Sequence, residues 1–174
     1  NWNEAKKIVL DSYYGFDKKL VDIANIFFEK SWIHAKISRG KASGAFSHPT
    51  VPKCHPYILV NFQGKIRDVM TLAHELGHGI HQYLANKNGF LLSDTPLTLA
   101  ETASVFGEML TFRSLLKNSK DKDEKKFLLR NKIEDMINTV FRQIAFFIFE
   151  RNIHNERMNG ELSDDDISRI WMSD

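Results

Sequence analysis

Residues 74–78 constrain this chain more than any other stretch, because they read His-Glu-Leu-Gly-His within a segment of helical apolar periodicity. On an α-helix, residues i and i+4 lie about 40° and about 6 Å apart, so His74 and His78 present their imidazoles on one face. Glu75 points about a quarter turn away, where it can reach a water on the open side of a shared metal ion. The pattern predicts a zinc-hydrolase site. The alternative is a helix whose two histidines form ordinary hydrogen bonds.

Length and hydrophobic content favour one domain spanning residues 1–174, and the charge distribution argues against nucleic-acid binding. The 174 residues are 43% hydrophobic, which is enough for one sizeable core. The net charge is +2, and acidic residues interrupt the lysines and arginines along the chain. The sequence therefore has no basic block of the kind that binds nucleic acid.

The cysteine content and the apolar runs indicate a cytoplasmic protein that does not enter a membrane. Cys54 is the single cysteine, so an internal disulfide is excluded and a reducing compartment is favoured. The longest wholly apolar run, Ile144 to Phe149, is far shorter than the roughly 20 residues that span a bilayer. A zinc ion in this chain must be bound by histidine and carboxylate.

The first third of the chain predicts two helices followed by two strands. One helix is expected from about Asn3 to Tyr14, and a second, capped by Asp17, to about Ser31 or His34. Glycine and proline then become frequent, and strands are expected near 42–47 and at 57–62. These strands should lie beside the helix that carries His74.

The rest of the chain predicts four helices. The first starts near Lys65 or Asp68, carries residues 74–78 and ends before Asn88, and the next opens at Pro96 and reaches about Lys117. A long helix follows a mixed-charge segment and runs to about 159 with its apolar side turned inward. Ser163 and Asp166 form a capping pair for a last short helix.

Glu101 is the best candidate for the third protein ligand that a catalytic zinc needs. It lies 23 residues after His78 on the next predicted helix, and a glycine-containing loop between them permits an antiparallel helix pair. Glu108 lies nearly two full turns further along and hence on the same face, where it can accept the other ring N–H of a ligand histidine. His81 lies within helical reach of His78, but a structural or outer role is favoured for it.

The sequence resembles the oligoendopeptidase F branch of the thimet-oligopeptidase-like zinc metallopeptidases over nearly its whole length. The matching stretches are Ser43-Gly44-Ala45-Phe46, Pro56-Tyr57-Ile58-Leu59 with Asn61-Phe62 and Gly64, Arg67-Asp68-Val69, Leu72 to His78 with His81, Ala100 to Ser104 with Glu108, Arg142-Gln143, and Phe149-Glu150 with Ile153-His154. The resemblance implies a mainly α, zincin-type catalytic core with a small β-sheet next to the His-Glu-x-x-His helix.

The resemblance also implies a chemistry. One Zn²⁺ would be bound by His74, His78 and Glu101, Glu75 would act as the base, and short peptides would be cleaved. A peptide could add as a strand beside residues 42–47, so Gly44, Ala45 and Phe46 are candidate substrate-binding residues.

Members of that family carry two further parts. These are a large helical N-terminal region and, after the segment matching Trp171, a tyrosine-bearing stretch that stabilises the tetrahedral intermediate. The 174 residues are thus expected to be the metal-binding middle of such an enzyme. The alternative is a non-catalytic, zinc-stabilised helical binding module.

Overall fold

The computed structural model describes residues 1–173 and confirms a mainly helical fold with a small sheet. The chain divides into two compact units, residues 1–119 and the part from Lys120 onward. A single domain over 1–174 stays a prediction. In chain order the elements are α1 (Trp2–Tyr14), α2 (Lys18–Glu29), β1 (Ile33–His34), β2 (Phe46–His48), β3 (Tyr57–Leu59), α3 (Ile66–Ala85), α4 (Leu97–Asn118), α5 (Lys122–Arg157) and α6 (Asp164–Ser173).

The first two helices begin at capping side chains. Asn1 accepts a hydrogen bond from the backbone N–H of Glu4 at the start of α1, and Asp17 accepts one from Lys19 at the start of α2. α2 ends at Glu29, earlier than predicted, because Ser31 has a φ of 58° that a helix cannot include. Strand β1 follows directly where the sequence predicted helix or loop.

The sheet has the strand order β1-β3-β2, so β2 is an edge strand. β1 runs parallel to β3, and β2 runs antiparallel to it with Ser47 opposite Ile58. The first predicted strand starts later than expected, at Phe46, and the second ends earlier, at Leu59. Because Ile58 donates its N–H to Trp32 on the β1 side, the backbone of Ser47 points away from β3 toward the outer edge of β2.

The core of the first unit lies among α1, α2, α3 and the sheet. α3 packs most extensively against α4 and also contacts β2 and β3, which confirms the position of the strands beside the predicted metal helix. The buried apolar side chains are Ala5, Val9, Tyr13, Ile23, Ala24, Phe27, Ile58, Val60, Val69, Leu72, Ala73, Leu76 and Ile80. The residues that carry the predicted metal chemistry are therefore anchored on a packed helix.

The second unit consists of α5 and α6. Leu128 is the one buried residue of α5, so the prediction that its apolar side turns inward is wrong for the described chain. The exposed apolar residues include Ile133, Ile137, Val140, Phe141, Ile144 and Phe147. Helical periodicity shows that an apolar face exists, but not which segment covers it.

The predicted cap of α6 is present. The Ser163 and Asp166 side chains are joined by a 2.6 Å hydrogen bond, and each also accepts the other residue's backbone N–H. Trp171 packs on Phe149 of α5 with a ring-centroid distance of 5.0 Å. Across the described residues, none of the helices combines the length and the apolar character that crossing a membrane requires.

Candidate metal centre

Helix α3 places His74 and His78 one turn apart on the same face. Their ring centroids are 5.0 Å apart and their planes cross at 80°. Both imidazoles are partly buried, with exposed side-chain fractions of 26% and 16%. Both histidines therefore have a nitrogen directed at the same region of space while the rest of each ring is held by packing.

Two glycines let α3 and α4 approach until their backbones are nearly in contact. A Cβ on Gly77 would lie only 2.6 Å from the carbonyl oxygen of Ala103 and 2.7 Å from the Cα of Ser104. One on Gly107 would lie 3.1 Å from the carbonyl oxygen of Ala73. Helices normally pack with their axes about 8–10 Å apart, and only glycine permits this closer crossing. Gly77 of α3 lies against Ala103 of α4, whereas the earlier residue Ala73 lies against the later residue Gly107. The two helices are therefore antiparallel.

The antiparallel crossing brings Glu101 to the two histidines. Its Oε2 atom lies 3.2 Å from Nε2 of His74 and 3.5 Å from Nε2 of His78. Glu101 is 60% exposed, and Ser104 fixes its carboxylate by donating a 2.8 Å hydrogen bond to the same oxygen. One donor atom from each of the three residues lies within 4.8 Å of the others.

This donor set fits a tetrahedral zinc ion. Tetrahedral ligands at about 2.1 Å from a zinc ion are about 3.4 Å from one another, close to the separations between Glu101 and the histidines. Two imidazoles and one carboxylate also form a ligand set that catalytic zinc sites use, with the fourth position left for water or substrate.

Glu108 contacts the opposite nitrogen of His74. Its Oε2 atom lies 3.2 Å from Nδ1, and its side chain is only 19% exposed. A carboxylate in this position accepts a hydrogen bond from Nδ1–H and so leaves the Nε2 lone pair free for a metal. The sequence alone did not indicate which histidine Glu108 would contact.

The two histidines differ in their electrostatic surroundings. Burial lowers the pKa of His74, but the hydrogen bond that His74 donates to Glu108 and the charges of Glu75, Glu101 and Glu108 outweigh this effect, so the pKa is raised. Burial lowers the pKa of His78, helped by His74 and opposed by Glu101. The carboxylates thus concentrate negative charge around His74, which favours a cation at this site.

Glu75 is the most deeply buried carboxylate of the site, with 6% of its surface exposed. Burial raises the pKa of Glu75 to about 7; the charge of Glu101 raises it further and His74 opposes the shift. A carboxyl group with a pKa near neutrality exchanges protons readily at physiological pH, as a general base must.

Gly44, Ala45 and Phe46 lead into the edge strand β2, and none of them belongs to the donor cluster of α3 and α4. The preceding loop is held by Asn61, whose amide donates 3.0 Å hydrogen bonds to the carbonyls of Ala42 and Gly44. Phe46 is 48% exposed. Two hydrogen bonds therefore fix the loop before β2, and the first residue of β2 presents an exposed aromatic side chain.

Gln82 joins the edge strand to the metal helix, a link that the sequence did not reveal. The hydroxyl of Ser47 donates a 2.8 Å hydrogen bond to Oε1 of Gln82, whose Nε2 donates a 3.2 Å bond back to the Ser47 carbonyl. Gln82 lies one turn after His78. A small cavity of about 80 Å³ next to this link is lined by His78, His81 and Gln82, among others.

Comparison with known proteins gives relatives over nearly the whole chain. Oligoendopeptidase F (chromosomal) from Lactococcus lactis subsp. cremoris is 34% identical over 163 residues, which are 93% of this chain and 27% of that protein. An oligoendopeptidase F homolog from Borreliella burgdorferi is 40% identical over 134 residues, 76% of this chain and 22% of that protein. The chain thus spans about a quarter of the length of these relatives.

A structural comparison and a family profile agree with these sequence relatives. The structure of PZ peptidase A with an inhibitor superposes with a TM-score of 0.77 over 99% of this chain and 30% of that one, and at 19% identity this shows a shared fold. The sequence profile of peptidase family M3 matches residues 11–173. With this match and the oligoendopeptidase relatives, the chain belongs to peptidase family M3.

Proposed function

We propose that this chain supplies the metal centre of a zinc-dependent oligopeptidase that hydrolyses peptide bonds in short peptides. The observation that carries the proposal is the convergence of one donor atom each from His74, His78 and Glu101 within 4.8 Å. The names of the relatives, oligoendopeptidases and oligopeptidases, support the reaction class. The single cysteine, Cys54, favours a cytoplasmic location.

His74, His78 and Glu101 would bind one zinc ion per chain, and Glu108 would fix the tautomer of His74. The ion, when bound, supplies Lewis acidity, which polarises a carbonyl group and lowers the pKa of a water molecule. The nitrogen and oxygen donors lie on two packed helices, so the protein would need little reorganisation to bind the ion.

Glu75 would act as the proton carrier. Its carboxylate would accept a proton from the attacking water and return it to the nitrogen of the departing amine. Burial raises the pKa of the Glu75 carboxyl to about 7 in the metal-free chain, the direction that helps it to hold the transferred proton.

The outer edge of β2 would bind the peptide backbone. Phe46 pairs with Leu59, so the backbone groups of Ala45, directly before β2, would face the outer edge, where the Ser47 carbonyl already accepts a hydrogen bond from Gln82. An Ala45→Pro substitution removes one outward N–H without removing a bond to β3. In the complete protein we expect a raised KM for short peptides, and an unchanged KM would contradict this binding mode.

The test of the proposed function combines zinc content with a quenched-peptide assay on the complete protein. We compare the wild type with Glu75→Gln and with Glu29→Gln, a control at an exposed glutamate outside the site. We expect zinc in all three and cleavage lost in Glu75→Gln alone. Retained zinc without cleavage dependent on Glu75 would favour the binding module, and a wild type that binds no zinc would contradict both.

A further inference from the structure

Tyr13 is a fully buried residue of α1 to which the proposed function gives no role. Its hydroxyl donates a 2.6 Å hydrogen bond to the backbone carbonyl of Ala73 on α3. The same hydroxyl lies against Gly107 of α4, where an added Cβ would collide with it. Burial also raises the pKa of Tyr13, so the hydroxyl remains a donor. One oxygen atom of an α1 side chain therefore lies against both α3 and α4.

The two residues that Tyr13 touches immediately precede two residues of the metal centre. Ala73 precedes His74, and Gly107 precedes Glu108. His74 and Glu108 are themselves joined across the helices by the 3.2 Å contact between Nδ1 and Oε2. The Tyr13 hydroxyl thus lies against both backbones, beside the point where their side chains meet.

A second polar contact holds α1 against α4 one turn further on. The hydroxyls of Ser12 and Thr111 are 2.9 Å apart, and both residues are buried. Thr111 also donates a 3.2 Å bond to the Gly107 carbonyl. Satisfied hydrogen bonds in a buried site fix the separation of the groups they join more tightly than apolar packing does.

We propose that Tyr13 is a positioning residue for the metal centre, setting the separation of α3 and α4 at which His74, Glu101 and Glu108 converge. This inference rests on the proposed function, since it assumes that these residues bind zinc. Removing the hydroxyl deletes the bond to Ala73 and the atom that packs against Gly107. α4 then settles against α3 in a different position, and the donors no longer converge as before.

The first test compares Tyr13→Phe with Tyr14→Phe, a matched control because Tyr14 is 66% exposed on the same helix. Zinc affinity of the complete protein is measured by competition with a chelator, and the visible spectrum is recorded after cobalt substitution. We expect zinc affinity to fall about tenfold in Tyr13→Phe, with an altered cobalt spectrum. Tyr14→Phe should stay within about twofold of the wild type. A purely structural Tyr13 would change thermal stability but leave affinity and spectrum unchanged, and that result would overturn the inference.

The second test needs no metal. Gly107→Ala is made with and without Tyr13→Phe, and thermal midpoints of the metal-free proteins are compared. Without the hydroxyl, the closest neighbours of the new Cβ are the Ala73 carbonyl at 3.1 Å and the tyrosine ring at 3.2 Å, which small shifts can relieve. Gly107→Ala should therefore lower the midpoint less when Tyr13 is already phenylalanine. Additive effects would overturn the inference.

The two tests separate failure of this inference from failure of the proposed function. If the wild type binds zinc through His74 but Tyr13→Phe binds it equally well, only the positioning role fails. If the wild type binds no zinc, the proposed function fails and the role of Tyr13 toward a metal fails with it, even where the Gly107 and Tyr13 effects are coupled.

Discussion

Substituting Gly77 by alanine should destabilise the protein and weaken its metal site together. The new Cβ would lie 2.6 Å from the Ala103 carbonyl oxygen, whereas ordinary contact begins near 3.4 Å, so α3 and α4 must separate by about 0.8 Å. Both colliding groups of α4 are backbone atoms, which cannot rotate away. Alanine favours a helix by about 1 kcal/mol over glycine, but overpacking of this kind costs about 1–3 kcal/mol. We expect a net loss of up to about 2 kcal/mol.

The same separation moves Glu101 away from His74 and His78. Zinc–ligand distances tolerate deviations of only about 0.2 Å, so a displacement of about 0.8 Å is large for the site. We expect zinc affinity to fall by about 10- to 100-fold. The assays are the thermal midpoint of the metal-free protein and chelator competition for zinc.

Gly15→Ala is the matched control. Gly15 has a right-handed helical conformation, and its added Cβ would have no neighbour closer than 3.6 Å. This substitution should stabilise the protein by about 0.4–1 kcal/mol and leave zinc binding unchanged. If Gly77→Ala is as stable as Gly15→Ala and binds zinc like the wild type, the close helix crossing does not position the site.

Three further substitutions test other parts of the structure. Glu108→Gln keeps the shape of the side chain but removes the charge beside His74, and chelator competition should show zinc affinity about 10-fold lower; equal affinity would contradict the orienting role. Gln82→Leu removes both hydrogen bonds to Ser47, so KM for short peptides should rise while zinc affinity stays constant, and an unchanged KM would separate β2 from substrate binding. Hydrogen bonds from the serine cap lower the pKa of Asp166, so its contribution to α6 is present above pH 3.8 and is lost as the pH falls through the lowered value. The protection of residues 164–173 from hydrogen exchange should therefore fall as the pH is lowered below 3.8 in the wild type, and should fall less in Asp166→Asn. An equal loss of protection in both proteins would contradict this.

Local sequence signals were sufficient for the elements that local chemistry determines. The apolar periodicity around residues 74–78 placed α3, and Asp17 and Ser163 marked the starts of α2 and α6 correctly. β1 was missed because a two-residue strand has no periodicity of its own and exists through its pairing with β3.

Features that depend on contacts between distant residues could not be predicted from sequence patterns. Loop length permitted Glu101 to approach His78, but the approach itself depends on Gly77 meeting the backbone of α4. Nothing in the sequence distinguishes Tyr13 within its predicted helix, because its partner Ala73 lies 60 positions away. The same limit explains the wrong orientation expected for the apolar side of α5, since a periodic face does not identify the segment that covers it.

The central claim is that His74, His78 and Glu101 bind one zinc ion, and zinc K-edge X-ray absorption of the complete protein tests it most directly. We expect two imidazole nitrogens at about 2.0–2.1 Å and a carboxylate oxygen at about 2.0–2.2 Å. His78→Ala should remove one imidazole from the zinc shell. A shell that contains thiolate sulfur, or that keeps both imidazoles in His78→Ala, would contradict the account.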